Sequence, residues 1–245
     1  MRRWDAKRYW VVGASEGLGR ALSAEMSRAG AELVLSARSE DTLKEVAEGL
    51  PGPAIVAPMD VSDPDSVAEA AKIAGDVDGV VILAAVYWPI KASEWDAEKV
   101  EAMADINFNG ALRVLGHVMP GMIERDAGHV VLTGSLSGYR GLPGAIGYGA
   151  TKAALMSLAE SMHYDLKDIG IDVQISNPGF IKTRTTDKND FNMPFIMSPE
   201  KAAAEMFELM KSDRFKKSFP RLFSYVFRGS QFLPDWLYYR VFKNL

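Results

Sequence analysis

Tyr148 and Lys152 stand four residues apart in Gly147-Tyr148-Gly149-Ala150-Thr151-Lys152, and Ser135 lies thirteen residues upstream of Tyr148. On a helix, residues at that spacing share a face about one turn apart. An ammonium held beside a phenol favours the phenolate and draws its pKa down from the usual value of about 10. Such a phenol can exchange a proton near neutral pH. A serine hydroxyl brought to the same point can hold a substrate oxygen. The three side chains outline carbonyl–alcohol chemistry, provided a hydride carrier lies alongside. A Tyr–Lys pair alone is weak evidence, so the weight rests on the elements that would position it.

Those elements alternate between strand and helix patterns. Arg8–Val12 reads as a short buried strand and runs into Gly13-Ala14-Ser15-Glu16-Gly17-Leu18-Gly19, followed by an amphipathic helix to about Ala29. Glycines at this spacing allow a tight turn and the approach of a diphosphate, which meets free N–H groups at the helix start. Glu16 inside this loop counts against a nearby phosphate. A second strand, Glu32–Ser36, leads to Ala37-Arg38-Ser39. Arg38 stands where a binder of the non-phosphorylated dinucleotide wants an acid, and its planar guanidinium suits a ribose 2′-phosphate. A third strand, Ala54–Met59, ends at Asp60-Val61. Asp60 can accept from an adenine amino group or cap the next helix, a role for which Asp63 and Asp65 compete. Gly79–Ala85 is a continuous apolar run, the mark of a strand covered on both faces.

Helices are expected at about Ala97–Asn109 and Ala111–Glu124, with a break near Asn107 that would expose a carbonyl to water. A fifth strand, His129–Ser135, delivers Ser135 at its carboxyl end, where ligands sit on parallel sheets. A helix from Tyr148 to about Leu166 follows, then a sixth strand at Asp172–Ser176 ending in Asn177-Pro178-Gly179-Phe180-Ile181-Lys182-Thr183. Strands alternating with helices imply an α/β fold: a single Rossmann-type domain with a doubly wound parallel sheet over residues 1–210.

In this order the motifs resemble those of the short-chain dehydrogenases/reductases of the classical type, over roughly residues 8–210. The carriers are Gly13-xxx-Gly17-x-Gly19, Asp60-Val61, Asn107, Ser135, Tyr148-xxx-Lys152, and Pro178-Gly179 followed by Thr183. The resemblance implies Tyr148 as general acid/base and Lys152 as the group that lowers its pKa and binds the nicotinamide ribose. Ser135 would hold the substrate oxygen and Asn107 would anchor a relay water. It places the cofactor against Gly13, Ser15, Glu16, Gly17, Leu18 and Gly19, against Arg38, Asp60, Val61, Ala84 and Ala85, and against Tyr148, Lys152, Pro178, Gly179, Ile181 and Thr183. Arg38 matches the position that makes NADP(H), rather than NAD(H), the expected cofactor. Two departures stand out. Val12 replaces a frequent Thr, and Ile82-Leu83-Ala84-Ala85 replaces the usual Asn-Asn-Ala-Gly, removing polar anchors without removing a reacting group.

Composition narrows the remaining choices. The chain has 245 residues, 48% of them hydrophobic, and no cysteine, so disulfides and thiolate zinc sites are excluded. None of His117, His129 and His163 is four from another, and no metal site is expected. No apolar run reaches the roughly 18 residues of a bilayer span. The start Met1-Arg2-Arg3-Trp4-Asp5 has no signal-like apolar region, and a cytoplasmic location is expected.

Net charge is −4, but residues 211–245 hold eight basic and two acidic side chains, a net +6, which leaves −10 for the rest. The same tail crowds ten aromatic residues between Phe215 and Phe242, in two short segments, Arg221–Phe232 and Pro234–Phe242. Three roles fit it: covering the substrate pocket, packing on a second subunit, or lying on an anionic membrane surface. Residues between Arg184 and Ser198 read as a lid over an apolar pocket. No nucleic-acid module is recognisable, and the main domain is acidic. The expected partners are an apolar carbonyl or alcohol substrate and further copies of the chain, as a homodimer or homotetramer. The expected function is an NADP(H)-dependent oxidoreductase. A non-catalytic NADP(H)-binding regulator or scaffold is the alternative, against which the set Asn107, Ser135, Tyr148 and Lys152 argues. An isomerase or dehydratase would need a larger substrate domain.

Overall fold

A sheet of seven parallel strands forms the centre of the molecule, in the order β3-β2-β1-β4-β5-β6-β7. The computed structural model describes residues 3–184, 186 and 193–242. The strands are β1 (Arg8–Val12), β2 (Glu32–Ser36), β3 (Ala54–Val56), β4 (Gly79–Ile82), β5 (Gly128–Thr133), β6 (Ile171–Pro178) and β7 (Lys216–Phe219). The helices are α1 (Gly17–Arg28), α2 (Glu40–Glu48), α3 (Pro64–Ala74), α4 (Ala97–Ala104), α5 (Gly110–Glu124), α6 (Ile146–Asp165), α7 (Pro199–Met210), α8 (Arg221–Ser230) and α9 (Asp235–Phe242).

Period-two alternation sorts the strand side chains between two helical layers. Trp10, Val12, Val34, Val80, Ile82, Val130, Leu132, Val173 and Ile175 pack with α3, α5 and α6 in one buried cluster. Tyr9, Val11, Leu33, Leu35, Val81 and Val131 pack with α1, α2 and α7 in the other. Several helix starts carry caps written in the sequence. Asp63 and Ser198 accept from the first turns of α3 and α7, each with proline next in line, and Asp96 caps α4. The order of winding reverses between β1 and β4: β2 and β3 are added on one side of β1, and β4 onward on the other. This opens a crevice at the carboxyl ends of the strands, the usual ligand position on such sheets.

The first and fifth expected strands agree with the structure to within two residues, and the expected sixth lies inside β6. The third and fourth end earlier, at Val56 and Ile82. Lys216–Phe219 adds a strand that the sequence pattern did not mark. It pairs with β6 from Ile175↔Lys216 to Pro178↔Phe219, so the composition break near residue 210 falls inside the packed fold. The carboxamide of the buried Gln174 reinforces this edge, donating to the carbonyls of Leu209, Ser212 and Arg214. On its other side Gln174 Oε1 meets His129 Nε2 at 2.9 Å, and His129 Nδ1 meets the Tyr9 hydroxyl at 2.9 Å. His129 is thus a packing residue. His163 stacks on Phe215.

Beyond β7, helices α8 and α9 bury Phe223, Phe227, Tyr238 and Phe242 against Leu136 in a third cluster. Among the described residues, no helix is long and apolar enough to cross a membrane, and no cluster of His, Asp or Glu side chains could hold a metal ion.

Candidate active site

The glycine loop leaves β1 through Gly13, whose φ of +95° is a conformation glycine adopts without strain. A Cβ on Gly13 would sit 2.7 Å from the Ala84 backbone nitrogen, and one on Gly19 would sit 1.9 Å from the Gly13 carbonyl oxygen. The turn is therefore packed against the β4 end with no spare room. Glu16 occupies the N-cap of α1 in extended geometry and makes no capping hydrogen bond, and the first turn carries no acid. An anion is thus met by unshielded N–H groups and the positive end of the helix. This cradle, floored by glycines that a Cβ would fill, suits the diphosphate of a dinucleotide.

The other residues marked for the cofactor surround the same crevice. Arg38 is exposed just past β2. Partial burial pushes the Asp60 carboxyl up, but hydrogen bonds from the Ser62 hydroxyl and N–H outweigh it and hold the carboxyl below the usual range, with the Arg38 charge adding the smallest share. Asp63, not Asp60, caps α3, which leaves Asp60 to brace the Asp60-Val61-Ser62 turn at the crevice. Val61 packs on Gly110, where a Cβ would approach it to 2.9 Å. Pro178 ends β6, and Gly179, Ile181 and Thr183 follow at the same edge. The Thr183 methyl faces Gly17, so the two loops nearly touch. Arg184 pairs with Glu16 at 2.5 Å across this rim, which answers the unfavourable charge of Glu16 in the loop.

The departures from the family pattern have a simple replacement. Leu83 and Ala84 donate their N–H groups to the Val12 carbonyl at 2.8 and 3.0 Å. Ile82 is buried in the first cluster and Leu83 packs on the second. Backbone bonds and apolar contacts thus hold the β1–β4 junction where asparagines usually do.

Ser135, Tyr148 and Lys152 converge at the carboxyl end of β5. Tyr148 lies in the first turn of α6, and Lys152 one turn on is 2% exposed. Lys152 Nζ donates to the Thr133 carbonyl at 2.8 Å and sits 5.5 Å from the centre of the Tyr148 ring. That bond uses one of its three protons, leaving donors for ligand hydroxyls. Ser135 faces the Tyr148 phenol closely enough to favour its ionised form, and accepts from the Ser137 N–H and hydroxyl at 3.2 and 3.0 Å. The electrostatics differ from the expectation of an acidified phenol. Burial pushes Tyr148 up to about 12, with Ser135 pulling the other way and Tyr87 adding to the rise. Burial also brings Lys152 down to about 8. In the folded chain, loss of water around the two groups outweighs the attraction between them. Tyr148 retains surface access at the crevice.

The helix break expected near Asn107 is a π-helical turn, Asp105–Asn109, between α4 and α5. The Asn107 side chain is 1% exposed and points to the β4 loop. Its Oδ1 accepts from the Val86 N–H at 2.7 Å, and its Nδ2 donates to the Val86 carbonyl and to Thr151 Oγ1. Asn107 thus ties the β4 loop, the π turn and α6 together behind the Tyr–Lys pair.

Two site neighbours carried no signal in the sequence. Tyr87, just past the β4 end, places its ring edge on Tyr148 with centroids 5.1 Å apart. Arg140 lies in the loop between Ser135 and Tyr148. It donates to the carbonyls of Ser230 and Leu233 at 2.6 and 2.8 Å, pairs with Asp235, and stacks 4.0 Å from the Tyr238 ring centre. The Tyr238 hydroxyl and Gln231 amide donate back to the Gly141 and Tyr139 carbonyls. The tail thereby grips the loop that joins two of the reacting side chains. Of the expected lid, residues 185 and 187–192 lie outside those described. Its far end returns through Phe195, whose ring meets Phe223 at 5.4 Å, and an Ile181–Met197 bridge.

Residues 7–193 match the family model described as short chain dehydrogenase. An uncharacterized oxidoreductase of Myxococcus xanthus is 34% identical over 93% of both chains. Among solved structures, a protein described as a short chain dehydrogenase/reductase family protein is 26% identical, with a TM-score of 0.82 over 89% of this chain and 95% of that one. A short-chain dehydrogenase from Sphingobium yanoikuyae, solved in complex with NADPH, shares the fold at a TM-score of 0.82 and 22% identity, over 91% of each chain. With its parallel sheet, glycine cradle and Tyr–Lys–Ser edge, the chain belongs to the short-chain dehydrogenase family and is an oxidoreductase.

Proposed function

We propose that this oxidoreductase reduces an apolar ketone, or oxidises the matching secondary alcohol, with NADP(H) as hydride carrier. The observation that carries the proposal is the meeting of the Tyr148 phenol, the Ser135 hydroxyl and the buried Lys152 ammonium beside the glycine cradle. The nicotinamide of a dinucleotide held in the glycine cradle would supply or take the hydride. Ser135 donates a hydrogen bond to the carbonyl oxygen and orients it against Tyr148. Tyr148 gives its proton to that oxygen as the alcohol forms. Lys152 would hold the ribose hydroxyls of the cofactor, and its charge stabilises the resulting phenolate. Protonated Tyr148 is the form needed for reduction, and its raised pKa keeps the proton in place at neutral pH. Asn107 keeps the π turn and α6 in register, which fixes the Tyr148 phenol relative to the β4 loop.

Arg38 supports NADP(H) over NAD(H), because its guanidinium stands exposed just past the carboxyl end of β2, where it suits a ribose 2′-phosphate. The apolar substrate is supported by the cluster that begins at Leu136, next to Ser135, and continues through Phe223, Phe180 and Leu142. The test is turnover of a panel of hydrophobic ketones followed by absorbance of the reduced cofactor, with Tyr148→Phe as control. General acid–base catalysis contributes on the order of 10²–10⁴-fold, and Tyr148→Phe is expected to lose that factor in kcat while still binding NADPH. Near wild-type turnover by the variant would remove Tyr148 from the mechanism.

A further inference from the structure

Helices α8 and α9 are apolar on two sides. Their inner stripes, Phe223 with Phe227 and Tyr238 with Phe242, are buried on one cluster. The outer stripes face away from that cluster, and Tyr225 of α8 lines one cleft with Phe232 of the connecting turn. On α8 the outer stripe holds Leu222, Tyr225 and Val226, at the helical spacing of i, i+3 and i+4. On α9 it holds Trp236 and Tyr239, and Phe232 projects from the turn between the helices. Leu222 is 74% exposed, Phe232 88%, Trp236 70% and Tyr239 58%. Side chains of this size so fully in water, grouped on one short segment, mark a contact surface.

Charge decides what that surface meets. Arg221, Arg228 and Arg240 are exposed on the same two helices. Arg221 and Arg228 flank Tyr225, with Arg221 Nε donating to its hydroxyl at 3.0 Å. Between α8 and the β7 edge lies a cleft of about 360 Å³ lined by Lys216, Arg228, Tyr139, Tyr225, Gln231 and Phe232. It offers the Arg228 guanidinium and several hydrogen-bond donors beside an exposed phenylalanine, while Lys216 Nζ is paired with Glu160 at 2.7 Å. The body of the chain, at −10, repels an anionic surface, whereas the tail, at +6, is attracted to one. A second copy meeting this face with its own α8–α9 would set these cations against their like charges. Aromatic and leucine side chains beside arginines are the pattern of a segment lying in a membrane interface.

We propose that the outer face of α8–α9 docks on an anionic phospholipid bilayer. Leu222, Phe232, Trp236 and Tyr239 enter the headgroup boundary, and Arg221 and Arg228 receive lipid phosphates. The grip of Arg140 on the α8–α9 turn then ties the docked face to the loop between Ser135 and Tyr148. Docking does not depend on the reaction proposed above, so either can fail alone.

The full chain is sedimented with phosphatidylcholine vesicles, with and without phosphatidylserine, at low and high salt. Binding to the phosphatidylserine vesicles, weakened by salt, is expected. Arg221→Gln with Arg228→Gln should weaken it about 25-fold, from about fivefold for each charge. Phe232→Ser with Trp236→Ser should abolish it at both salt levels. Circular dichroism melts matching wild type show that the variants fold, and Tyr164→Ser, an equally exposed aromatic on α6, must leave binding unchanged. Absence of binding, or equal binding to neutral vesicles, overturns the proposal. So does a dimer in solution that Phe232→Ser with Trp236→Ser converts to monomer, since a second copy would then occupy this face.

Discussion

Replacing Lys152 by methionine tests the electrostatic core of the site without any substrate. Burial lowers Lys152 from 10.5 to about 8 in the folded chain. Two and a half pKa units at 1.36 kcal/mol each make the charged form about 3 kcal/mol less favourable folded than unfolded. The sign follows from proton counts. Between pH 8 and 10.5 the unfolded chain keeps the Lys152 proton that the folded chain has released, so stability rises with pH in that window. From pH 7 to pH 9 the rise attributable to Lys152 is about 1 kcal/mol. Tyr148, raised from 10 to about 12, acts oppositely and only above pH 10, where the unfolded chain loses a proton that the folded chain retains. The assay is urea unfolding of ligand-free wild type and Lys152→Met at pH 7, 8 and 9. Wild type should gain about 1 kcal/mol on Lys152→Met across that range, whatever the other groups contribute to both. At pH 7 the variant should be the more stable, because an apolar side chain replaces a buried charge that the Thr133 carbonyl only partly satisfies. Parallel pH curves for the two proteins would refute the argument that Lys152 is a desolvated cation. The same variant should turn over ketone at least about 100-fold more slowly if the ammonium stabilises the Tyr148 phenolate.

Arg38→Ala should weaken NADPH binding by about 10–100-fold and leave NADH almost unchanged, as read by fluorescence titration of each cofactor. Gly13→Ala forces a side chain into φ of +95° and to 2.7 Å from the Ala84 backbone. It should cost about 1–3 kcal/mol in urea unfolding, and NADPH binding should weaken with it. Arg140→Ala should cost about 2 kcal/mol, a fall of roughly 5 °C in melting temperature. Arg140→Lys should not restore it, because a lysine lacks the planar fork that spans the Ser230 and Leu233 carbonyls and the Tyr238 ring.

Much of the frame was determined by the sequence alone, because its signals are local. Apolar runs such as Gly79–Ile82, glycines at Gly13, Gly17 and Gly19, and caps such as Asp63 before Pro64 act within a few residues of where they stand. Alternation of strands and helices then leaves a parallel sheet as the economical way to bury them, and Ser135 and Tyr148 follow at its carboxyl edge. Tertiary structure decided what depends on distant partners. Lys216–Phe219 is a strand only because β6 offers it an edge and Gln174 holds the turn before it. Asn107 gained its role from Val86, twenty-one residues away, and Arg140 from the tail ninety residues on. The pKa order of Tyr148 and Lys152 was likewise beyond spacing. Helical geometry sets how far apart the two groups lie, but the water excluded around them is a property of the whole packed crevice, and here it outweighs their attraction.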